Sequence, residues 1–349
     1  METLVYYFFK AFVKSGLFFY TKKIKVSGNE NIPKKGAILF TANHPNGLVD
    51  PLFIATHIKR KTHFLVRASV FNNPIIAKFF NLLGMMPVYR IRDGIQQLSK
   101  NEEIFNKCQN LLKNNKALLI FPEGTHSKAR TVRPLSKGFT RILFRTLDEY
   151  PNTDIHIIPI GITYQNVSSY PSKVAIHFGS PILANNFYNQ QDINQSVKTL
   201  KELVSKQLKE LSVHIPFNEE YEETLTFLNK KQTDFTDVNT VNAAINNRLT
   251  ITEKKRSKNY TLSLFYLIIL NSIIPFTIWK LVSKKINEIE FIDTFRFGLN
   301  VILFPFFYCI QSLIVSSFWG WKFGLAYFFS SLFLILLYTK LSPTHPPSE

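Results

Sequence analysis

The chain has 349 residues, and its 42 Lys and Arg against 24 Asp and Glu give a formal net charge of +18. Such a surplus favours an anionic partner, which can be nucleic acid, an acidic membrane surface or a phosphate-bearing substrate. Hydrophobic residues make up 46% of the chain, 33 residues are Phe, and the basic residues are interleaved with apolar runs, so a nucleic-acid-binding protein is disfavoured. Cys108 and Cys309 lack metal-ligand spacing, and neither a metal site nor a disulfide framework is predicted.

The amino-terminal stretch, residues 1–25, is rich in aromatic side chains and carries Lys10 and Lys14 within its apolar run. No small-residue cleavage site follows it, so it does not resemble a secretory signal. Aromatic residues mixed with lysines are typical of a helix that lies in the membrane interface. We therefore predict an interfacial helix here, with an ordinary core helix as the alternative.

Residues 26–215 alternate between short apolar runs and amphipathic stretches, and we predict that they form one domain. Strand-like runs occupy residues 37–42, 62–66, 117–121, 155–163 and 173–178. Apolar residues recur with helical spacing at residues 104–112, where Cys108 falls on the predicted core face, and at residues 197–213. Strands that alternate with helices predict an α/β domain of three layers, with its sheet covered on both faces.

The last third of the chain changes in character. Residues 216–258 are polar and are predicted to form a connector, whereas residues 259–341 contain uncharged runs at 259–279, 297–321 and 323–339. The middle run is long enough to cross a bilayer, and the other two are borderline. We predict two or three membrane helices, with the last two forming a hairpin. Basic residues flank the first run on both sides, which leaves the orientation open.

His44 is the first candidate functional residue. In the stretch "FTANHPNGLVDPLF" an apolar run leads into His44, the Pro-Asn-Gly sequence favours a sharp turn, and Asp50 follows six positions later. Open α/β sheets bind ligands at the carboxyl ends of their strands. A carboxylate on one ring nitrogen would fix the tautomer and raise the basicity of the other. Such a pair is suited to removing a proton from a hydroxyl; a structural histidine is the alternative.

A second candidate site follows the strand at residues 117–121. Glu123, Gly124 and Thr125 form a glycine turn whose carboxylate and hydroxyl can hydrogen-bond a polyol, although a solvated strand-exit turn is the alternative. Basic residues lie on either side of it in the sequence. These basic residues are Arg90, Arg92, Arg130, Arg133 and Lys137. If they converge on one pocket they would capture a phosphate, whereas taken singly each is expected to be a solvated surface charge.

Four sequence blocks occur in a fixed order over residues 43–162: "NHPNGLVD", "GMMPVYR", "FPEGTHS" and "IPIGI". Together they resemble the glycerolipid acyltransferase family, which includes glycerol-3-phosphate and 1-acylglycerol-3-phosphate acyltransferases. The resemblance implies a three-layer αβα acyltransferase domain with a mixed sheet. It also implies transfer of a fatty acyl group from acyl-CoA or acyl carrier protein to a glycerol-phosphate hydroxyl, with no metal and no bound cofactor. It covers about the first 60% of the chain and leaves out the hydrophobic carboxyl-terminal third.

The resemblance also assigns roles to individual residues. It implies that His44 is a base with Asp50 as its carboxylate partner and that Arg90 binds phosphate. It implies that Glu123, Gly124 and Thr125 shape the acceptor site. It also implies that Lys137 faces the phosphate and that Pro159 lies near the acyl-chain tunnel. Two features depart from the family pattern. Five residues rather than four separate His44 from Asp50, which we interpret as a one-residue bulge in the turn, and His126 stands where arginine is common.

The combined prediction is a membrane-bound O-acyltransferase of phospholipid biosynthesis, at the cell inner membrane or an equivalent membrane, with its active site at the cytoplasmic face. The expected partners are the lipid bilayer, a glycerol-phosphate acceptor and acyl-CoA or acyl carrier protein, but not nucleic acid. Alternative acceptors are a lysophospholipid, dihydroxyacetone phosphate or an ornithine-type lipid. A non-catalytic lipid-binding membrane protein is a further alternative, and the intact sequence blocks argue against it.

Overall fold

A computed structural model describes residues 2–89, 95–246, 250–253, 258–286 and 291–347. Within these ranges the strands are β1 (Lys23–Ser27), β2 (Ala37–Ala42), β3 (Thr62–Arg67), β4 (Met85–Val88), β5 (Ala117–Ile120), β6 (Ile155–Tyr164), β7 (Lys173–Phe178) and β8 (Ile182–Leu183). The α-helices of the first two thirds are α1 (Glu2–Tyr20), α2 (Val49–His57), α3 (Pro74–Leu82), α4 (Asn101–Lys113), α5 (Gly138–Glu149), α6 (Ile193–Leu211), α7 (Tyr221–Lys230) and α8 (Val238–Ile245). The carboxyl-terminal helices are α9 (Leu262–Asn271), α10 (Ile273–Ser283), α11 (Ile292–Trp319) and α12 (Trp321–Leu341).

The strands form one mixed sheet in the order β1-β7-β6-β2-β5-β3-β4, with β8 paired to β6. At its centre β2 runs parallel to both β5 and β6, whereas β7 is antiparallel to β6. All six residues of β2 are buried, as expected for a strand that helices cover on both faces. The predicted mixed sheet is therefore confirmed.

Helices cover both faces of the sheet because successive side chains of a strand point in opposite directions. On one face Phe40 of β2 packs in a cluster with Leu17 of α1 and Phe53 of α2. On the other face Leu39 packs in a cluster with Cys108 of α4, and α5 and α6 contribute to the same cluster. The predicted three-layer arrangement is confirmed, and Cys108 is a fully buried core thiol as expected.

The segment predicted to be a polar connector contains α7 and α8, which pack on the sheet. Phe235 is fully buried, and it shares a cluster with Tyr221 of α7, Val238 of α8 and Ala175 of β7. Apolar residues at helical spacing within this polar stretch therefore extend the core beyond residue 215. The boundaries of the predicted domains remain a prediction.

Two of the carboxyl-terminal helices, α11 and α12, are long and apolar enough to cross a membrane. A third span is present if α9 and α10, which bend by 96° at their junction, count as one broken span. Gly320, with φ +91°, joins α11 to α12, and the Ser312 hydroxyl donates to the Gly324 carbonyl at 2.7 Å. These contacts form the predicted helical hairpin.

The predicted interfacial segment folds as α1, which packs on the domain and on the carboxyl-terminal helices. Leu17 is buried between α1 and the sheet, and the Lys340 ammonium of α12 donates to the Phe18 carbonyl at 2.7 Å. On the outer face Leu4 and Phe8 are largely exposed, as is Ile75 of α3. This exposed apolar surface suits contact with lipid, although the location of α1 in a membrane interface remains a prediction.

Candidate active site

Sheet topology brings two loops to the same edge. Because β2 and β5 are neighbouring parallel strands, the loops that follow them both leave from their carboxyl ends, where open α/β sheets bind ligands. His44 follows β2 by two residues, and Glu123 follows β5 by three. The Ser127 amide donates to the His44 carbonyl at 2.9 Å and ties the two loops together.

His44 and Asp50 form the pair that the sequence predicts. The imidazole Nδ1 lies 2.8 Å from Asp50 Oδ2, so the five intervening residues close the turn without separating the two side chains. Asp50 is fully buried, and the His44 side chain is 15% exposed. A carboxylate that accepts Nδ1–H leaves Nε2 as the nitrogen with a free lone pair. The pair thus has the geometry of a general base and its orienting partner.

Three further interactions support the Asp50 carboxylate. The Tyr164 hydroxyl donates to Oδ1 at 2.7 Å, the Asn46 amide donates to Oδ2 at 2.7 Å, and Asp50 itself lies in the first turn of α2, where the helix dipole favours negative charge. Burial raises the pKa of Asp50, and the hydrogen bonds from His44, Tyr164 and Asn46 oppose that rise. Burial and the neighbouring Asp50 charge raise the pKa of Tyr164, which keeps its hydroxyl a donor.

Aromatic rings fix the plane of the imidazole. His44 stacks on Phe121, with ring centroids 4.0 Å apart and planes 18° apart. The His126 ring lies edge-on to the His44 ring, with the ring centroids 5.7 Å apart. The His126 centroid also lies 5.2 Å from that of Phe291 at the start of α11. In place of the arginine that the sequence resemblance implies at this position, His126 contributes a ring contact to the site.

Arg133 organises the Glu123 loop. Its guanidinium binds the Glu123 carboxylate through Nη2 at 2.7 Å and Nε at 3.0 Å, and Nη1 donates to the Thr125 hydroxyl at 2.6 Å. The Glu123 side chain is only 3% exposed. Gly124 has φ +76°, a conformation that favours glycine. Arginine therefore holds the carboxylate and the hydroxyl of this block on one side of the loop.

The remaining predicted site residues occupy different surroundings. Lys137 is exposed just before α5, and the neighbouring Ser136 amide donates to the Pro122 carbonyl at 2.7 Å, which ties this segment to the Glu123 loop. Pro159 is buried within β6, in register with Thr41 of β2. Arg90 and Arg92 lie outside the described residues.

Arg130 has a structural environment. Its guanidinium donates to the backbone carbonyls of Tyr164 and Gln165 at 2.9 and 2.8 Å, and it lies 3.5 Å from the centre of the Phe235 ring. The sequence leaves two roles open for Arg130, which are phosphate capture and a solvated surface charge. The structure gives it neither role, because its guanidinium bonds backbone carbonyls and lies against an aromatic ring. Arg130 joins the end of β6 to the segment between α7 and α8.

Sequence reasoning did not identify Tyr164, Asn46 or Phe121 as site residues. Asn46 lies inside the turn, so its proximity to His44 had a local signal. Phe121 follows β5 directly, and its contact with His44 depends on β5 lying next to β2. Tyr164 had no local signal, because the distance from Tyr164 to Asp50 depends on β6 lying next to β2, which the sequence pattern does not specify.

Comparison with known proteins identifies the part of the chain that carries this site. Residues 23–163 match the protein family described as Acyltransferase. We refer to this matched region as the acyltransferase domain. It includes both strand-end loops of the site and ends one residue before Tyr164.

Named relatives of the acyltransferase domain act on glycerol phosphates. The chain is 26% identical over 115 residues to glycerol-3-phosphate O-acyltransferase 1 of Saccharomyces cerevisiae, which covers 32% of this chain and 15% of the yeast protein. It is 26% identical over 125 residues to a chloroplastic 1-acyl-sn-glycerol-3-phosphate acyltransferase of Arabidopsis thaliana, which covers 36% of this chain and 33% of the plant protein. The chain thus spans a third or less of the length of these two relatives.

A solved structure also aligns with the chain. It is that of the 1-acyl-sn-glycerophosphate (LPA) acyltransferase PlsC from Thermotoga maritima, with 21% identity and a TM-score of 0.46, covering 60% of this chain and 80% of that chain.

Proposed function

We propose that this protein is a membrane-bound O-acyltransferase. It moves a fatty acyl group from acyl-CoA or acyl carrier protein to a hydroxyl of glycerol 3-phosphate or 1-acylglycerol 3-phosphate. The observation that carries the proposal is the 2.8 Å contact between His44 Nδ1 and Asp50 Oδ2 at the carboxyl edge of the sheet, within an acyltransferase domain.

In the proposed reaction His44 is the general base. Asp50 holds Nδ1–H, and Nε2 accepts the proton of the acceptor hydroxyl as the oxygen attacks the thioester carbonyl carbon. The new C–O bond forms, the C–S bond breaks, and the proton on Nε2 passes to the departing thiolate. The thioester is already activated, so this scheme requires no metal and no bound cofactor.

The acceptor phosphate is proposed to bind beside the Glu123 loop. Lys137 is exposed next to that loop, and the family resemblance adds Arg90. Arg133 has the different role of holding Glu123 and Thr125 in place for the glycerol hydroxyls. A net charge of +18 attracts anionic acceptors and anionic lipid alike.

The apolar surfaces support a site that works at a membrane. The hairpin of α11 and α12 is long enough to span a bilayer, and α11 begins against His126 next to the imidazole. An acceptor that carries an acyl chain would then reach His44 from the lipid phase. We propose the inner membrane or an equivalent one, with the site on the cytoplasmic side.

The test is acyl transfer by the purified protein in detergent. The two acyl donors are acyl-CoA and acyl carrier protein loaded with a fatty acyl group, each labelled in its acyl chain. Each donor is offered with glycerol 3-phosphate, 1-acylglycerol 3-phosphate, dihydroxyacetone phosphate, lysophosphatidylcholine and a lyso-ornithine lipid. We expect a labelled ester product with one of the first two acceptors. Product with another acceptor alone would replace the proposed substrate, and no product with any pair would refute the proposed activity.

A further inference from the structure

The first long apolar helix begins against the catalytic turn, by which we mean residues 44–50. The Leu48 amide just before α2 donates to the Thr294 hydroxyl at 3.2 Å, and the Asn46 side-chain amide donates to Asp293 Oδ2 at 2.7 Å. An amide at a helix start has no partner within its own helix, so Thr294 supplies the one that Leu48 lacks. Both acceptors belong to the first turn of α11.

Asp293 is itself held in place from two directions. The Tyr20 hydroxyl at the end of α1 donates to Asp293 Oδ1, and Arg296 Nη2 donates to the same oxygen at 3.1 Å. Arg296 also donates to the Ser168 carbonyl at 2.9 Å. With Asp293 only 6% exposed, these contacts make a fixed polar anchor from α1, α11 and the loop after β6.

Asn46 links this anchor to the His44–Asp50 pair. Its backbone amide donates to Asp50 Oδ2, the same oxygen that contacts His44 Nδ1, while its side chain donates to Asp293. Asn46 is 1% exposed. A displacement of Asn46 would therefore move or release the carboxylate that orients the imidazole.

Gly47 shows how closely α11 approaches the turn. A Cβ atom at this position would lie 3.0 Å from Thr294 Oγ1 and 3.6 Å from the Phe291 ring. The turn contains the additional residue that separates this chain from the usual spacing between His and Asp. In this chain the longer turn is packed and hydrogen-bonded against a helix from outside the acyltransferase domain.

We propose that Asp293 and Thr294 are positioning residues for acyl transfer, through which the membrane-spanning hairpin holds the catalytic turn in its working geometry. This inference rests on the proposed function of His44. It assigns the carboxyl-terminal helices a part in the reaction in addition to membrane attachment, because the hairpin supplies two of the polar contacts that fix the turn.

The test uses Thr294→Val, which removes the hydroxyl at nearly constant volume and without a change of charge, and Asp293→Asn. The matched control is Thr277→Val in α10, whose hydroxyl donates only to the Ile273 carbonyl of its own helix among the hydrogen bonds described. Thr294→Ser, which keeps the hydroxyl, is the rescue variant. The two readouts are kcat and KM for acyl transfer and the downfield proton NMR resonance of the His44 Nδ1–H bonded to Asp50, assigned by its loss in His44→Gln.

We expect kcat to fall about 10-fold in Thr294→Val and about 10- to 100-fold in Asp293→Asn, as for a lost hydrogen bond to a polar or charged group. KM should change much less, the resonance should shift or broaden, and Thr294→Ser and Thr277→Val should retain wild-type behaviour. An unchanged resonance and an unchanged kcat in both test variants would overturn the inference. If the wild type transfers no acyl group, the proposed function fails, and the resonance still decides whether α11 orients the pair.

Discussion

Replacing Tyr164 by Phe tests whether the buried carboxylate of Asp50 controls the imidazole. The change removes the hydroxyl that donates to Asp50 Oδ1 at 2.7 Å and keeps the ring that packs edge-on against Phe53 at 6.0 Å. Asp50 is fully buried, so water does not replace the lost donor. Hydrogen bonds to charged groups are worth about 1.5–3 kcal/mol.

The expected direction follows from which form of Asp50 the hydroxyl favours. Tyr164 stabilises the ionised carboxylate, so its removal raises the pKa of Asp50 further above the ordinary value, where burial has already placed it. At 1.36 kcal/mol per pKa unit, the rise is about 1–2 units. The acidic limb of the kcat/KM profile reports the His44–Asp50 pair as a unit, so it should move to higher pH by up to that amount, with activity recovering on the alkaline side.

Stability should change with a related pH dependence. A folded-state pKa above the unfolded value of about 3.9 penalises the ionised form, so the penalty is absent at lower pH and grows as the pH rises towards the folded pKa. Tyr164→Phe should therefore lower the free energy of unfolding at neutral pH by about 1.5–3 kcal/mol and by less near pH 4.

The assay is the pH dependence of kcat/KM and of thermal unfolding for the wild type, Tyr164→Phe and the control Tyr150→Phe. Tyr150 donates to Glu149 at an exposed position, so its loss should move neither curve. An acidic limb that stays in place in Tyr164→Phe, with the protein folded, would refute the role given to the Asp50 carboxylate.

Three further predictions concern the acceptor loop and the membrane helices. Lysine cannot reproduce the two hydrogen bonds from Arg133 Nε and Nη2 to Glu123. Arg133→Lys should therefore raise the KM for the acceptor by about tenfold with a smaller change in kcat. An unchanged KM in steady-state assays would exclude a role for the Glu123 loop in acceptor binding. A Cβ atom at Gly324 would overlap the Ser316 hydroxyl, whereas one at Gly298 would meet nothing within 4 Å. Gly324→Ala should therefore lower the melting temperature in detergent, and the control Gly298→Ala should not. Equal melting temperatures for the two variants would contradict the close packing of α11 on α12. Because α11 and α12 are long enough to span a bilayer, an alkaline carbonate wash should leave the protein in the membrane pellet, and its release into the supernatant would argue against integral insertion.

The central fold was predictable from the sequence because its strands carry strong signals. The buried strands β2 and β7 were predicted with the bounds that the structure gives them. The strands that were missed lie at the ends of the sheet or are very short. β1 is an edge strand with alternating lysines, β4 is the opposite edge and contains Pro87, and β8 has two residues. Edge strands bury less apolar surface, and proline is tolerated there, so the hydrophobic pattern weakens.

The candidate site was predictable where its residues are close in sequence. His44 and Asp50 share one turn, and Glu123 follows the adjacent strand, so local pattern and sheet logic suffice for them. Tyr164 contacts Asp50 of the same turn from 114 residues away in the sequence. Asp293 contacts Asn46 of that turn from 247 residues away. Those contacts depend on strand order and on the docking of α11, which periodicity and motif spacing do not encode.

The most direct test of the proposed function is the turnover number of purified His44→Ala beside that of His177→Ala. His177 lies in β7 and pairs with Ser27 of the edge strand. Loss of a general base should lower kcat by about 10²–10⁴-fold in His44→Ala, while His177→Ala keeps wild-type turnover and both variants remain folded and membrane-bound. Near-normal acyl transfer by folded His44→Ala would contradict the assignment of the imidazole as the base.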